Sequence, residues 1–179
     1  MRGSQGVTLL ELAFAMAIVA VLIGLAVPGV RELRLDSERT AAVNDLLHAL
    51  YLARSEAIKR GAVVSVCPGT AESGCAPGTE WAGGWLVFVN DDRDRPPELD
   101  PGELVLRADM PAANLTITSN RPALSFRPTT QLDVNGTIVF CDPRGSDAAR
   151  AIIVSHTGRP RVSTRNSSGR PLTCPGDSP

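Results

Sequence analysis

"GVTLLELAFAMAIVAVLIGLAVPGV", residues 6–30, decides how the rest of this 179-residue chain is read. From Leu12 to Val30 no residue is charged, a run of 19. An α-helix needs roughly 20 apolar residues to cross a bilayer core, so the run predicts a membrane segment. A removable secretory signal fits less well. Its apolar stretch is usually about 7–15 residues, and a small-x-small cleavage site should follow it. One carboxylate, Glu11, lies just inside the front edge of the run. An unpaired acid in hydrocarbon costs roughly 2.5–3.5 kcal/mol on insertion scales, which marks Glu11 as a candidate functional residue that needs a named partner.

After Pro28 the chain turns polar but keeps a helical rhythm. Leu33, Val43, Leu46, Leu47, Leu50, Ala53, Ala57 and Ile58 recur at three- and four-residue steps, one apolar stripe with charges opposite. The anchor helix is therefore expected to continue into the rest of the chain and to stop at Gly61, behind the cations Lys59 and Arg60. Pro28 removes one backbone donor and is expected to kink or locally melt it. His48 reads as a surface or packing residue. Beyond Gly61, short apolar runs are cut by Gly, Pro and Asp: "AVVSVCPG", "GGWLVFVNDD", "GELVLRAD", "NLTITS", "ALSFRP", "GTIVFCD", "ARAIIVSH" and "RPRVST". Their alternation and β-branched content predict six to eight antiparallel strands. A long helix on a β-rich head buries both apolar faces, so the expected class is α+β. No internal repeat is evident, and the polar tail "NSSGRPLTCPGDSP" is expected to be loose except where Cys174 tethers it.

Net charge is only -1, but its distribution is uneven. Residues 80–109 hold eight acids and three arginines, whereas residues 111–179 hold eight arginines and four acids. A polyanion should therefore meet the C-terminal part. Four cysteines, Cys67, Cys75, Cys141 and Cys174, include no C-x-x-C pair, and the chain has two histidines, His48 and His156. That makes a poor zinc site. Behind a membrane anchor, two disulfides in an oxidising compartment are the better account. Three connectivities are open, and sequence proximity favours Cys67 with Cys75 and Cys141 with Cys174. The acids of "WLVFVNDDRDR" suggest calcium at first sight, yet they lack the EF-hand's glycine and glutamate spacing and fit a solvated turn. Ser155-His156 has no fixed catalytic partners. No enzyme, metal or cofactor is expected.

Gly6 followed by Val7-Thr8-Leu9-Leu10-Glu11-Leu12 and an apolar helix resembles the processing signal of type IV pilins and type II secretion pseudopilins. The resemblance implies cleavage between Gly6 and Val7 by the prepilin peptidase, and N-methylation of Val7, where the family usually has phenylalanine. It also implies a role for Glu11 in assembly, by pairing with the α-ammonium of a neighbouring subunit, so that two costly charges cancel. The implied plan is a leader at 1–6, a transmembrane half-helix at 7–30, an amphipathic half-helix at 31–60, a head at 61–165 and a tail at 166–179. Such a protein begins in the inner membrane with its head in the periplasm, then joins an extracellular pilus beside major and minor pilin subunits.

"VSVCPG", "WAGGWLVFVNDD", "GTIVFCDPRG" and "ARAIIVSHTGRPRV" appear in an order that resembles the minor pilins of the FimT, FimU and GspH group. Gly158-Arg159-Pro160-Arg161 resembles the GRxR motif of FimT-like minor pilins that bind DNA during natural transformation. In an extended segment Arg159 and Arg161 point to the same side, within reach of one phosphate backbone. Arg165 and Arg170 are expected as looser supports. The alternative function is a structural minor pilin or pseudopilin that primes assembly of a type IV pilus or type II secretion pseudopilus.

Overall fold

The computed structural model describes residues 8–112, 114–128 and 135–177, with the backbone alone described for 24–28. Gly6 and Val7 lie outside the described residues. The chain divides into two units, Met1–Ser37 and Glu38–Pro179. A helix, α1 (Leu9–Arg60), belongs to both. At its start Thr8 acts as N-cap, its Oγ1 accepting the backbone N–H of Glu11 (3.3 Å). Its end coincides with the expected stop before Gly61. There Lys59 Nζ and Arg60 Nε donate to Glu56 (3.0 and 2.7 Å). These donors, Arg60 first, hold the Glu56 carboxyl below the usual carboxylate range. The helix continues through Pro28, so of the two expected outcomes, a kink or local melting, the melting does not occur. A proline removes a single helical hydrogen bond, and the flanking turns can bridge the gap.

In the first unit, the helix exposes Leu9, Leu12, Phe14, Met16, Ile18, Val21, Leu22 and Ile23. Among the described residues no helix is long and apolar enough to cross a membrane.

The second unit carries nine strands, β1 (Val63–Thr70), β2 (Gly74–Cys75), β3 (Trp85–Asn90), β4 (Val105–Asp109), β5 (Thr116–Ser119), β6 (Leu124–Phe126), β7 (Gly136–Cys141), β8 (Arg150–Val154) and β9 (Pro160–Ser163). Eight of these fall on the eight runs named from sequence. The ninth, β2, has only two residues and no alternation to betray it. All pairings are antiparallel. One sheet runs β2-β1-β3-β4, with β6 sharing the β2 side of β1, and the other runs β5-β7-β8-β9.

Period-two alternation sorts each strand between two faces. Val64, Val66, Val87 and Val89 from the first sheet join Ile117, Ile138, Phe140, Ile152 and Val154 from the second in one core with Trp81 and Trp85. The helix contributes Ala42, Val43, Leu46, Ala49, Leu50, Ala53 and Ala57. Its four alanines allow close approach, while burying each leucine contributes roughly 1.5–3 kcal/mol. Leu33 and Ile58, expected in this stripe, are instead 71% and 59% exposed. Ile58 follows Ala57 by one residue, about 100° around the helix, which turns it off the buried face.

The outer face of each sheet has its own small cluster with a disulfide. Cys67–Cys75 lies with Leu86 and Phe88, and Cys141–Cys174 with Ala149, Ala151 and Leu172.

One charged residue lies in phase with the apolar stripe. Arg39 is 4% exposed, and its Nη1 donates to Asp142 Oδ2 at 3.0 Å. Arg144 approaches the same carboxylate with Nη2 (2.6 Å), Nε (3.0 Å) and its backbone N–H (3.0 Å). Donation by the Arg144 side chain is the largest influence on Asp142, and it holds that carboxyl below the usual range against the opposing effect of burial. Helix and second sheet are thus linked by a buried ion pair as well as by apolar contact.

Candidate functional site

The C-terminal edge of the second sheet begins where β8 turns into β9. Val154 pairs with Pro160, leaving the five residues Ser155–Arg159 as the turn. The Gly158 N–H donates to the Ser155 carbonyl (2.8 Å), and the Ser155 N–H to the Arg159 carbonyl (3.2 Å). Closing both bonds requires a left-handed residue at the fourth place, and Gly158 supplies φ 68° without a Cβ penalty. The Ser155 hydroxyl adds a bond from the Arg159 N–H (3.2 Å). Pro160 is buried between the exposed Arg159 and Arg161. Arg159 ends the turn and Arg161 is the second residue of β9, so the two flank Pro160 at the start of the strand. Tyr51 on α1 donates its hydroxyl to the Pro160 carbonyl (3.2 Å), fixing the start of β9 against the helix.

Beyond β9 the chain is not loose. Arg165 bridges to Pro171, Leu172 is buried, and Cys174 is bonded to Cys141. The Asp177 carboxylate accepts the N–H and hydroxyl of Ser146, which lower its pKa below the usual carboxylate range, the hydroxyl having the larger effect. The expectation of a loose tail is corrected for residues 166–177: composition hid a short turn that closes on itself. Arg165 and Arg170 are both exposed, but they differ. Arg165 Nη1 donates to the Gly169 carbonyl (3.0 Å) and so braces that turn.

Electrostatics distinguish this edge. Residues 150–176 hold five arginines and no acid. Elsewhere several arginines meet carboxylates, as in Arg39 with Asp142, Arg60 with Glu56, and Arg107 with Asp45 and Asp109. The bond from Arg107 to Asp109 raises the Arg107 pKa further. Among the described residues the guanidinium groups of Arg159, Arg161 and Arg170 make no hydrogen bond or ion pair. They are charges with no internal partner, on a strand whose outer edge carries no ladder among the described residues.

The acidic loop is of opposite sign. Carboxylate oxygens of Asp92, Asp94 and Asp100 lie within 4.8 Å of one another. Backbone donors already occupy several, Asp94 N–H on Asp92 and Glu98 N–H on Asp94 among them. His48 and His156 are both exposed and far apart in the chain, with no acid bonded to either among the described residues.

Residues 42–158 match the family model of the type II transport protein GspH. The chain belongs to the GspH family. Residues 1–27 of this GspH-family chain also match the prokaryotic N-terminal methylation motif. It is 31% identical over 172 residues to the pilin-like protein PilA1 of Thermus thermophilus, which covers 88% of this chain and 97% of that protein. Two crystal structures of the type IV minor pilin FimU of Pseudomonas aeruginosa share its fold. One has TM-score 0.54 and 22% identity over 75% of this chain and 98% of that one. The other has TM-score 0.52 and 23% identity over 80% and 97%.

A GspH-family chain with the methylation motif is a minor pilin or pseudopilin of a type IV pilus or type II secretion system, a structural subunit and not an enzyme. The motif implies a precursor anchored in the inner membrane, which meets the prepilin peptidase and other pilin subunits. The family model ends at Gly158, so β9 and its arginines lie beyond it.

Proposed function

We propose that this minor pilin binds double-stranded DNA without sequence preference and takes part in DNA uptake during natural transformation. Arg159 and Arg161 make the contact, and Arg165 and Arg170 support it. The observation that supports this reading is the exposure of Arg159 and Arg161 on either side of the buried Pro160, both without an internal partner among the described residues, inside a 27-residue stretch (150–176) with no carboxylate. Planar guanidinium groups suit phosphate oxygens. A phosphate contact of this kind is the same along any sequence, so counterion release supplies the affinity.

In this reading the peptidase cuts at Gly6/Val7, Val7 is methylated, and the head lies in the periplasm until the subunit enters an extracellular pilus. Glu11 also benefits from the positive end of α1, but that is worth only about 0.3–1 kcal/mol. The insertion cost exceeds it several-fold. A neighbouring subunit's α-ammonium supplies the remainder, so assembly and charge neutralisation coincide.

The test is a mobility-shift titration of the full chain in detergent micelles with random-sequence duplex at 50 and 200 mM salt. With two to three phosphate contacts, affinity is expected to fall roughly 10- to 40-fold across that range. A subunit that only primes pilus or pseudopilus assembly would give no shift at either salt.

A further inference from the structure

The residues that follow β9 repeat the turn that precedes it. Ser155-His156-Thr157-Gly158-Arg159-Pro160 and Asn166-Ser167-Ser168-Gly169-Arg170-Pro171 align without a gap, and the likeness extends to the bonding. In the second turn the Gly169 N–H donates to the Asn166 carbonyl (3.0 Å) and the Asn166 N–H to the Arg170 carbonyl (2.9 Å). These are the counterparts of the Gly158–Ser155 and Ser155–Arg159 bonds. Asn166 Oδ1 accepts the Arg170 N–H (3.0 Å), as Ser155 Oγ accepts that of Arg159. Gly169 has φ 77° against 68° at Gly158. The proline closes each turn by bridging to the residue just before it, Pro160 to Val154 and Pro171 to Arg165. Each turn thus presents an exposed arginine directly after its left-handed glycine, with the guanidinium uncommitted among the described residues.

We propose that the Gly169–Arg170 turn is a second phosphate-contacting turn equivalent to the first, so that the partner is an elongated polyanion lying along β9 and touching both ends of it. This inference rests on the DNA-binding reading and names the shape of ligand that the edge selects. From Arg159 to Arg165 the chain advances at most about 20 Å, at roughly 3.3 Å per residue. Arg170 returns beside Arg165, because Pro171 is the bridge partner of Arg165. A compact anion would be satisfied by one turn. A duplex, with a charge about every 1.7 Å of its axis, spans both within about six base pairs.

The roles of the supporting groups follow. Arg165, with Nη1 on the Gly169 carbonyl, is a positioning residue. The Cys141–Cys174 disulfide and the buried Leu172 moor the second turn from its far side.

The experiment compares the full chain in micelles with R170Q, with a double variant Cys141→Ala/Cys174→Ala, and with the two combined, each titrated with a random-sequence duplex over a range of salt. R170Q is expected to lower affinity about eightfold at 0.1 M salt and to reduce the slope of log Kobs on log salt by about one. Removing the disulfide is expected to produce a similar loss, and adding R170Q to it little more, because both act on the same turn. Arg170 is exposed, so thermal unfolding of R170Q should match the parent. Unchanged affinity and slope in R170Q, with binding still lost on replacing Arg159 and Arg161, would overturn the second turn while leaving the first as the contact. No binding by the parent chain would overturn the DNA reading itself, and this inference with it.

Discussion

Replacing Arg159 and Arg161 together by glutamine is expected to weaken duplex binding by roughly 60-fold at 0.1 M salt. Each phosphate neutralised releases about 0.9 counterion, which at that salt is worth about eightfold, and two such contacts multiply. The slope of log Kobs on log salt should fall by about two, and the loss should be the same for every DNA sequence, because a phosphate contact carries no base information. Stability should stay within about 0.5 kcal/mol of the parent, since both side chains are exposed and neither has an internal partner among the described residues. That separation matters: a variant that lost binding by unfolding would also lose its thermal transition. Glutamine keeps length and hydrogen-bonding capacity, so the substitution removes charge and little else. A mobility-shift series in salt, with a melting curve on the same samples, checks each part.

The second large effect is on stability. Asp142→Asn is expected to cost about 3 kcal/mol, the lower end of the range for removing one partner of a buried ion pair. Its carboxylate is inaccessible to solvent and accepts from both Arg39 on α1 and Arg144 beside it, while the Arg39 side chain is only 5% exposed. An asparagine preserves shape but removes the buried negative charge that accepts from both Arg39 and Arg144. The same argument gives a pH dependence. Asp142 has its pKa depressed in the folded protein, so its contribution is fully present above the unfolded value of about 3.9 and is lost as pH falls through the lower folded value. Acid unfolding of the parent should therefore show a proton uptake in that window that Asp142→Asn lacks. Urea titrations at neutral and acid pH measure both. An unfolding free energy within 1 kcal/mol of the parent at neutral pH would mean that apolar contacts alone dock the helix on the head.

Much of this architecture was legible because its signals were periodic. The alternating runs located every strand longer than two residues, and the three- and four-residue steps located the helix. Arg39 was missed although its spacing from Val43, Leu46 and Leu50 put it in phase with the buried stripe. Its polarity argued for the surface, and nothing local announced Asp142, more than one hundred residues later. The tail was misread for the opposite reason. Asn166-Ser167-Ser168-Gly169 has the composition of a flexible linker, yet each of these residue types also suits a tight turn, and only the bonds distinguish the two. The shared G-R-P of the two turns was visible as letters. Its meaning came from the positive φ and the paired backbone bonds, which no period in the sequence encodes. Arg159 and Arg161 were expected as contacts from spacing and family likeness, whereas the carboxylate partners that hold Arg39, Arg60 and Arg107, and that these two lack among the described residues, are a property of the fold.

The most direct test of the proposed DNA contact is to follow the arginine side-chain Nε–Hε resonances of the full chain in micelles as a random-sequence duplex is added. The resonances of Arg159, Arg161 and Arg170 are expected to shift together and to return as salt is raised, while those of Arg39 and Arg107, held by carboxylates, stay in place. Shifts confined to arginines outside residues 150–176, or none at all at low salt, would contradict it.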